Sequence, residues 1–179
     1  MFSDFLDSIK QYKKPIFFIL KMFGVYLTLQ AFYDYVLSPY TNIDKYLISL
    51  IISQTEWVLS FLGYALLEPN SMYEHHVGVL DSSGVVIGNP CDGISLFILY
   101  ASFLFVFKGK WWFKLSTIGF GILVIHFLNV FRIIALAIIV VYYPESLDFH
   151  HKYSFTLFVY LCIFLMWYKR IDIYKKREW

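Results

Sequence analysis

Four stretches of this chain are almost continuously apolar, and a fifth is apolar on one side only. Residues 15–37 form the first run, about 23 residues long. That is long enough to cross a bilayer and exceeds the roughly 7–15 residues of a signal-peptide core. No small-residue cleavage site follows, so the pattern predicts a retained anchor preceded by a short amphipathic lead-in over 1–14. Residues 42–67 read differently. Asn42, Lys45, Ser49, Ser53, Glu56 and Ser60 recur at spacings of 3, 4, 4, 3 and 4, a single polar stripe on an α-helix. Leu47, Leu50, Ile51, Trp57, Val58 and Phe61 fall elsewhere on its surface. Such a stripe suits a helix lying in the membrane interface. A spanning helix whose stripe faces other helices is the competing reading.

Residues 68–90 change character. His76–Leu80 and Val85–Ile87 flank Asp81-Ser82-Ser83-Gly84, which predicts a β-hairpin with a glycine-containing turn, ended by Pro90. Three further apolar runs follow, over 91–107, 111–143 and 151–168. Lys108-Gly109-Lys110 makes a basic turn between the first two, and the acidic segment 144–148 separates the last two. Residues 169–179 form a basic tail.

Composition narrows the class. Hydrophobic residues make up 59% of the 179, and charged residues only 16%, against about 25% in an ordinary soluble domain. Mean hydropathy is +0.62. A disordered chain, a disulfide framework and an ordinary cytosolic enzyme are excluded. The expectation is a single integral membrane domain over 1–179: an all-α membrane protein with about four transmembrane helices, an outer-face amphipathic helix and a small extracytoplasmic β-hairpin.

The net charge of +2 says little until it is sorted by side. With the N-terminus inside and 42–90 outside, 12 of the 15 bases lie at or near the inner side, all but Lys45, Arg132 and Lys152. Nine of the 13 acids fall toward the outer side. Counting 42–67 as a span would place the N-terminal lysines outside, against the positive-inside rule. The expected location is the cell inner (cytoplasmic) membrane, multi-pass, with residues 42–90 facing outward.

In this arrangement three unusual residues reach one surface from three helices. Cys91 opens a descending helix. Arg132 lies 18 residues beyond Lys114, about 27 Å up an ascending helix. His150 and His151 head the last helix. Ionisable groups embedded in a membrane are costly and mark functional candidates. Each also has a plainer reading. Cysteine is often a small buried hydrophobe, although a helix N-terminus favours the thiolate, and Pro90 and Gly93 suit a shaped turn. Arg132 can pair with Asp92 or Asp148, or snorkel to the interface. Asn129, three residues before it on the same face, favours a built polar site. His75, His76 and His126 stand near in this arrangement, yet no ligand spacing of the HExxH kind supports a metal, and no cofactor is expected. Cys162 lies about 16 Å from His151 along its helix, too deep to bridge Cys91.

Thiol, imidazole and a cationic donor together suit acyl transfer: nucleophile, acid/base and oxyanion stabiliser. The competing readings are a non-enzymatic membrane scaffold or transport component of a surface-export system, and a metal-dependent intramembrane protease. A serine protease has little support, since there is no GxSxG.

At these residues the sequence resembles the exosortase/archaeosortase family. Asn89-Pro90-Cys91-Asp92-Gly93-Ile94 is similar to its Cys-x-Gly segment, Asn129-Val130-Phe131-Arg132-Ile133 to its Asn-x-x-Arg-Ile segment, and a histidine heads the final span in both. The amphipathic helix ending in Leu62-Gly63-Tyr64, then a hairpin, also looks like the family. The resemblance covers roughly residues 40–170, and His151-Lys152-Tyr153-Ser154-Phe155-Thr156 looks most like the short F-type branch. It implies a cysteine transpeptidase or protease that processes exported proteins carrying a C-terminal motif, a transmembrane span and a basic tail. The acyl group would pass to water or to a lipid- or glycan-linked acceptor. The expected partners are those proteins and the lipid bilayer, with no nucleic acid. Carried over, Cys91 would be nucleophile, Arg132 oxyanion or substrate-positioning group, and His151, with His150 as the other choice, acid/base. Asn129, Asp92 and Gly93 would support them. Asp92 stands where many members have serine; an acid there would raise the thiol pKa or pair with Arg132.

Overall fold

The computed structural model describes residues 2–68, 75–88 and 91–177. Asn89 and Pro90, to which the turn before Cys91 was assigned, lie outside the described residues, as does Glu74. The chain is mostly helical. In order it forms α1 (Phe2–Phe32), a π-helical turn (Tyr33–Leu37), α2 (Ser38–Tyr40), α3 (Ile43–Phe61), β1 (His76–Val77), β2 (Val85–Val86), α4 (Ile94–Val106) and α5 (Trp111–Tyr142). A 3₁₀ turn (Pro144–Ser146), α6 (Leu147–Phe149), a π turn (His150–Ser154) and α7 (Phe155–Arg177) complete it.

Among the described residues, three helical segments are long and apolar enough to cross a membrane: Tyr12–Tyr40, Trp111–Tyr142 and Pro144–Ile173. The expected lead-in is therefore not a separate element, because α1 runs from Phe2 through Pro15 without a break. The last helical segment likewise begins before 151, absorbs the acidic connection, and continues into the basic tail. The run over 91–107 is helical for only 13 residues. At 1.5 Å per residue α4 is about 20 Å long, short of a hydrocarbon core of about 30 Å. Three long helices and one short one thus stand where four spans were expected.

α3 is amphipathic, as its stripe requires. Asn42, Lys45, Ser49, Ser53 and Ser60 are exposed, whereas Ile48, Ile51, Thr55 and Leu59 are fully buried against the bundle. Helix does not persist to residue 67. Gly63 takes φ +86°, and the Gly63 and Tyr64 N–H groups donate to the Ser60 and Leu59 carbonyls, both at 3.0 Å. This glycine-closed cap satisfies the last carbonyls and turns the chain out of the helix. Residues 65–67 then run extended: the Leu80 N–H donates to Ala65 O and the Leu67 N–H to Gly78 O.

β1 and β2 pair antiparallel, His76 opposite Val86 and Val77 opposite Val85. Within their connection Ser82 Oγ donates to Val79 O at 2.6 Å, and Asp81 and Gly84 adopt positive φ. The pair lies over α3 and α5, where Val77 and Ile87 join Ile48, Ile51, Val130, Ile133 and Leu136 in one buried cluster. A second cluster, at the other end, joins Tyr100, Phe103, Leu104, Ile118, Ile125, Val159 and Ile163 from α4, α5 and α7. α5 is the hub on which α3, α4 and α7 pack; α1 packs on α4. α4 sits close because Gly121 has no side chain. A Cβ there would overlap the ring of Tyr100, which is 1% exposed.

The two ends of the bundle differ in charge. Lys14 and Lys21 of α1, Lys108 after α4 and Ile171 of α7 line one groove, and Arg170 lies over the Phe113 ring at 4.1 Å. Cys91, Asp92, Arg132 and His151 belong to the opposite end.

Candidate active site

Cys91 has 3₁₀ rather than α-helical conformation. It lies in the turn before α4, three residues ahead of Ile94, with its N–H donating to Gly88 O at 2.8 Å. Gly93, at φ +89°, shapes that turn; a side chain there would be strained in the left-handed region. The expected helix-opening cysteine is thus corrected: the positive φ of Gly93 defers the helix by one turn of chain.

Two residues on α5 grip this turn. Asn129, 3% exposed, donates from Nδ2 to the Cys91 carbonyl at 2.6 Å. Arg132, three positions on and therefore on the same face, brings Nη2 to 4.0 Å from Cys91 Sγ. Its Nε is buried and has no hydrogen-bond partner among the described residues. Arg132 also lines a small hollow of about 230 Å³ with Ser95, Leu96, Thr156, Val159 and Tyr160, between α4, α5 and α7.

The histidines separate. His151 Nε2 stands 3.8 Å from Cys91 Sγ. His150 turns away, its Nδ1 sharing a 3.1 Å hydrogen bond with Ser154 Oγ. Both belong to the five-residue π turn His150–Ser154, whose extra residue per turn rotates the side chains relative to an α-helix. His126 bonds to Gln54 Oε1 at 2.8 Å, joining α5 to α3, and His76 bonds to Ser83 O within the hairpin. No group of three or more metal-ligating side chains exists among the described residues. Cys91 and Cys162 are both free thiols.

Asp92 does not pair with Arg132. Its Oδ1 accepts the Ile94 N–H at 2.8 Å at the start of α4, and its carboxyl stands near that of Asp44 on α3. Both acids are buried, at 5% and 6% exposure, and Ser38 Oγ donates to Asp44 Oδ2 at 2.7 Å. Burial is the main force that pushes the Asp92 pKa up to about 7; the Asp44 carboxylate adds to it, and the Ile94 N–H opposes it. Asp148, the other proposed partner of Arg132, is instead paired with Lys152 at 3.0 Å on the surface. Asp44 was missed in the sequence. Its signal was its register, since it falls with Ile48, Ile51, Thr55 and Leu59 on the core face of α3 rather than on the polar stripe.

The acid pair makes stability depend on pH. Asp92 holds its proton more tightly folded than unfolded, where an aspartate titrates near 3.9. Its contribution is therefore complete below about pH 4 and is lost as pH rises through about 7. Thermal unfolding of the detergent-solubilised protein should show a midpoint falling between about pH 4 and 7 and levelling off above that. Asp92→Asn, which keeps a neutral donor toward Asp44, should flatten that slope.

A bundle of membrane-length helices with a cysteine, a histidine and an arginine gathered at one end defines a polytopic membrane protein with a thiol-centred site. The chain belongs to the transmembrane exosortase family: the model of that description (Exosortase_EpsH) matches residues 7–168. No curated protein and no solved structure matches the chain.

Proposed function

We propose that this protein is a cysteine transpeptidase or protease that cleaves C-terminal sorting signals from exported proteins at the outer face of the cytoplasmic membrane. The observation that carries the reading is Cys91 Sγ standing 3.8 Å from His151 Nε2 and 4.0 Å from Arg132 Nη2. The Cys91 thiolate attacks the scissile amide carbonyl, forming a C–S bond and placing negative charge on the carbonyl oxygen. Arg132, with N–H groups to spare, stabilises that oxyanion. Collapse breaks the C–N bond, and the imidazolium of His151 gives its proton to the departing amine. Water, or a nucleophile on a lipid or glycan, then attacks the thioester. His151 takes the incoming proton, and Cys91 leaves as the thiolate.

A substrate with a transmembrane tail and a basic stop presents its cleavage point just outside the bilayer, at the depth of this end of the bundle. Confinement to two dimensions then aligns enzyme and substrate before specific contacts form. The sequence around the final histidine favours the short F-type branch.

The test uses intact cells and a Cys162→Ala background, so that one thiol remains. A membrane-impermeant maleimide should label Cys91 from outside near neutral pH. Arg132→Lys should leave the protein folded and stop processing, because an ammonium cannot supply the planar fork of donors. A thiol that resists labelling, together with full tolerance of the lysine, would instead indicate a scaffold.

A further inference from the structure

At the end of the bundle away from Cys91, a groove of about 450 Å³ lies between α1, the end of α4 and α7. It exists because α4 stops early: Phe107 leaves the helix in an extended conformation while α1 and α7 continue past it. Its floor is aromatic. Phe18 meets Phe103 edge-on at 5.5 Å and Phe107 at 6.3 Å. Lys14, Lys21 and Lys108 stand around it. Among the described residues none of the three meets a carboxylate, and the contact Lys21 does make is with the Phe17 ring, 4.5 Å from its centroid. Three uncompensated cations over an apolar hollow ask for an occupant that is anionic at one end and apolar at the other. A small anion in solution would answer the charge and leave the phenylalanines bare; a neutral lipid would do the reverse.

We propose that this groove seats one anionic glycerophospholipid, its acyl chain along Phe18, Phe103 and Phe107 and its phosphate among Lys14, Lys21 and Lys108. The lipid then ties α1 to α4 and α7 at the end where α4 is too short to fill the space. Basic pockets between membrane helices bind anionic headgroups in this way, each lysine adding to the attraction.

The test takes the full-length protein into nanodiscs of phosphatidylcholine containing a graded fraction of phosphatidylglycerol, followed by native mass spectrometry. The wild-type chain should retain one phosphatidylglycerol at fractions where phosphatidylcholine retention is at background. Lys14→Ser/Lys108→Ser should reduce that retention by roughly tenfold or more, while Lys14→Arg/Lys108→Arg should keep it. Lys108 lies in the exposed connection between α4 and α5, so Lys108→Ser alone serves if the double variant fails to fold. Equal retention of the two lipids, or undiminished retention in the serine variants, overturns the proposal. So does thermal protection by inorganic phosphate equal to that by phosphatidylglycerol, which would make the site one for a free anion.

Discussion

Cys91→Ala is expected to abolish processing of tailed exported proteins, a loss on the order of 10⁴-fold or more, as when other enzymes lose the nucleophile of a covalent mechanism. The substitution isolates chemistry from folding for a structural reason. The turn that carries Cys91 is held through its backbone: its N–H binds Gly88 O, and its carbonyl accepts Asn129 Nδ2. Neither bond uses the sulfur. The side chain contributes only partial packing against the Ile48–Leu136 cluster, so alanine should cost little stability. Immunoblots of cells carrying the variant should show the protein at normal level and its substrates at full length. Cys91→Ser should be equally inactive, because a hydroxyl lacks the nucleophilicity of the thiol at neutral pH. Normal processing in either variant would sink the proposed function outright.

The second large effect is an asymmetry between neighbours. His151→Ala should lower processing by about 10²–10⁴-fold, the range for removing a general acid–base group. His150→Ala should leave most activity. His151 faces the sulfur, whereas His150 is engaged with Ser154 in the same π turn. His151→Gln sharpens the measurement, since glutamine can hydrogen-bond to the sulfur but cannot carry a proton to the leaving amine. Initial rates on one tailed substrate, compared across the three variants, decide the matter. The opposite ranking would assign the proton transfer to His150 and require the π turn to rearrange when substrate binds.

The parts of this molecule that were legible in advance are those governed by local pattern. Long apolar runs had to become buried or lipid-facing helices. The 3-and-4 spacing of polar residues over 42–60 put one polar stripe on the face of α3 away from the bundle, with Glu56 half-buried. The boundaries escaped where single glycines decided them. Gly63 ends α3 six residues before the apolar pattern fades, and Gly93 delays α4 so that Cys91 falls in a turn. Periodicity carries no information about either, because a cap depends on one residue's access to positive φ.

The site divides in the same way. Residue type and rarity picked out Cys91, Asn129, Arg132 and the histidine pair, since ionisable groups survive in an apolar chain only where something compensates them. Their contacts were another matter. Arg132 had two candidate acid partners by sequence and took neither: Asp148 pairs with Lys152, and α3 delivers Asp44 to Asp92 at the head of α4. That contact joins positions 48 residues apart, a distance over which no local pattern reaches. That His151 rather than His150 stands beside Cys91 goes with the π turn that carries both rings.

By itself, then, the sequence determined that this is a helical membrane protein of the exosortase family with a few chemically distinctive residues, because hydropathy, helical spacing and residue type are local properties. The tertiary structure alone decided which of those residues meet, which acid stands beside which, and where a short α4 leaves a basic groove. Those outcomes depend on how α3, α4 and α7 pack around α5, and packing is set by contacts between residues far apart in the chain.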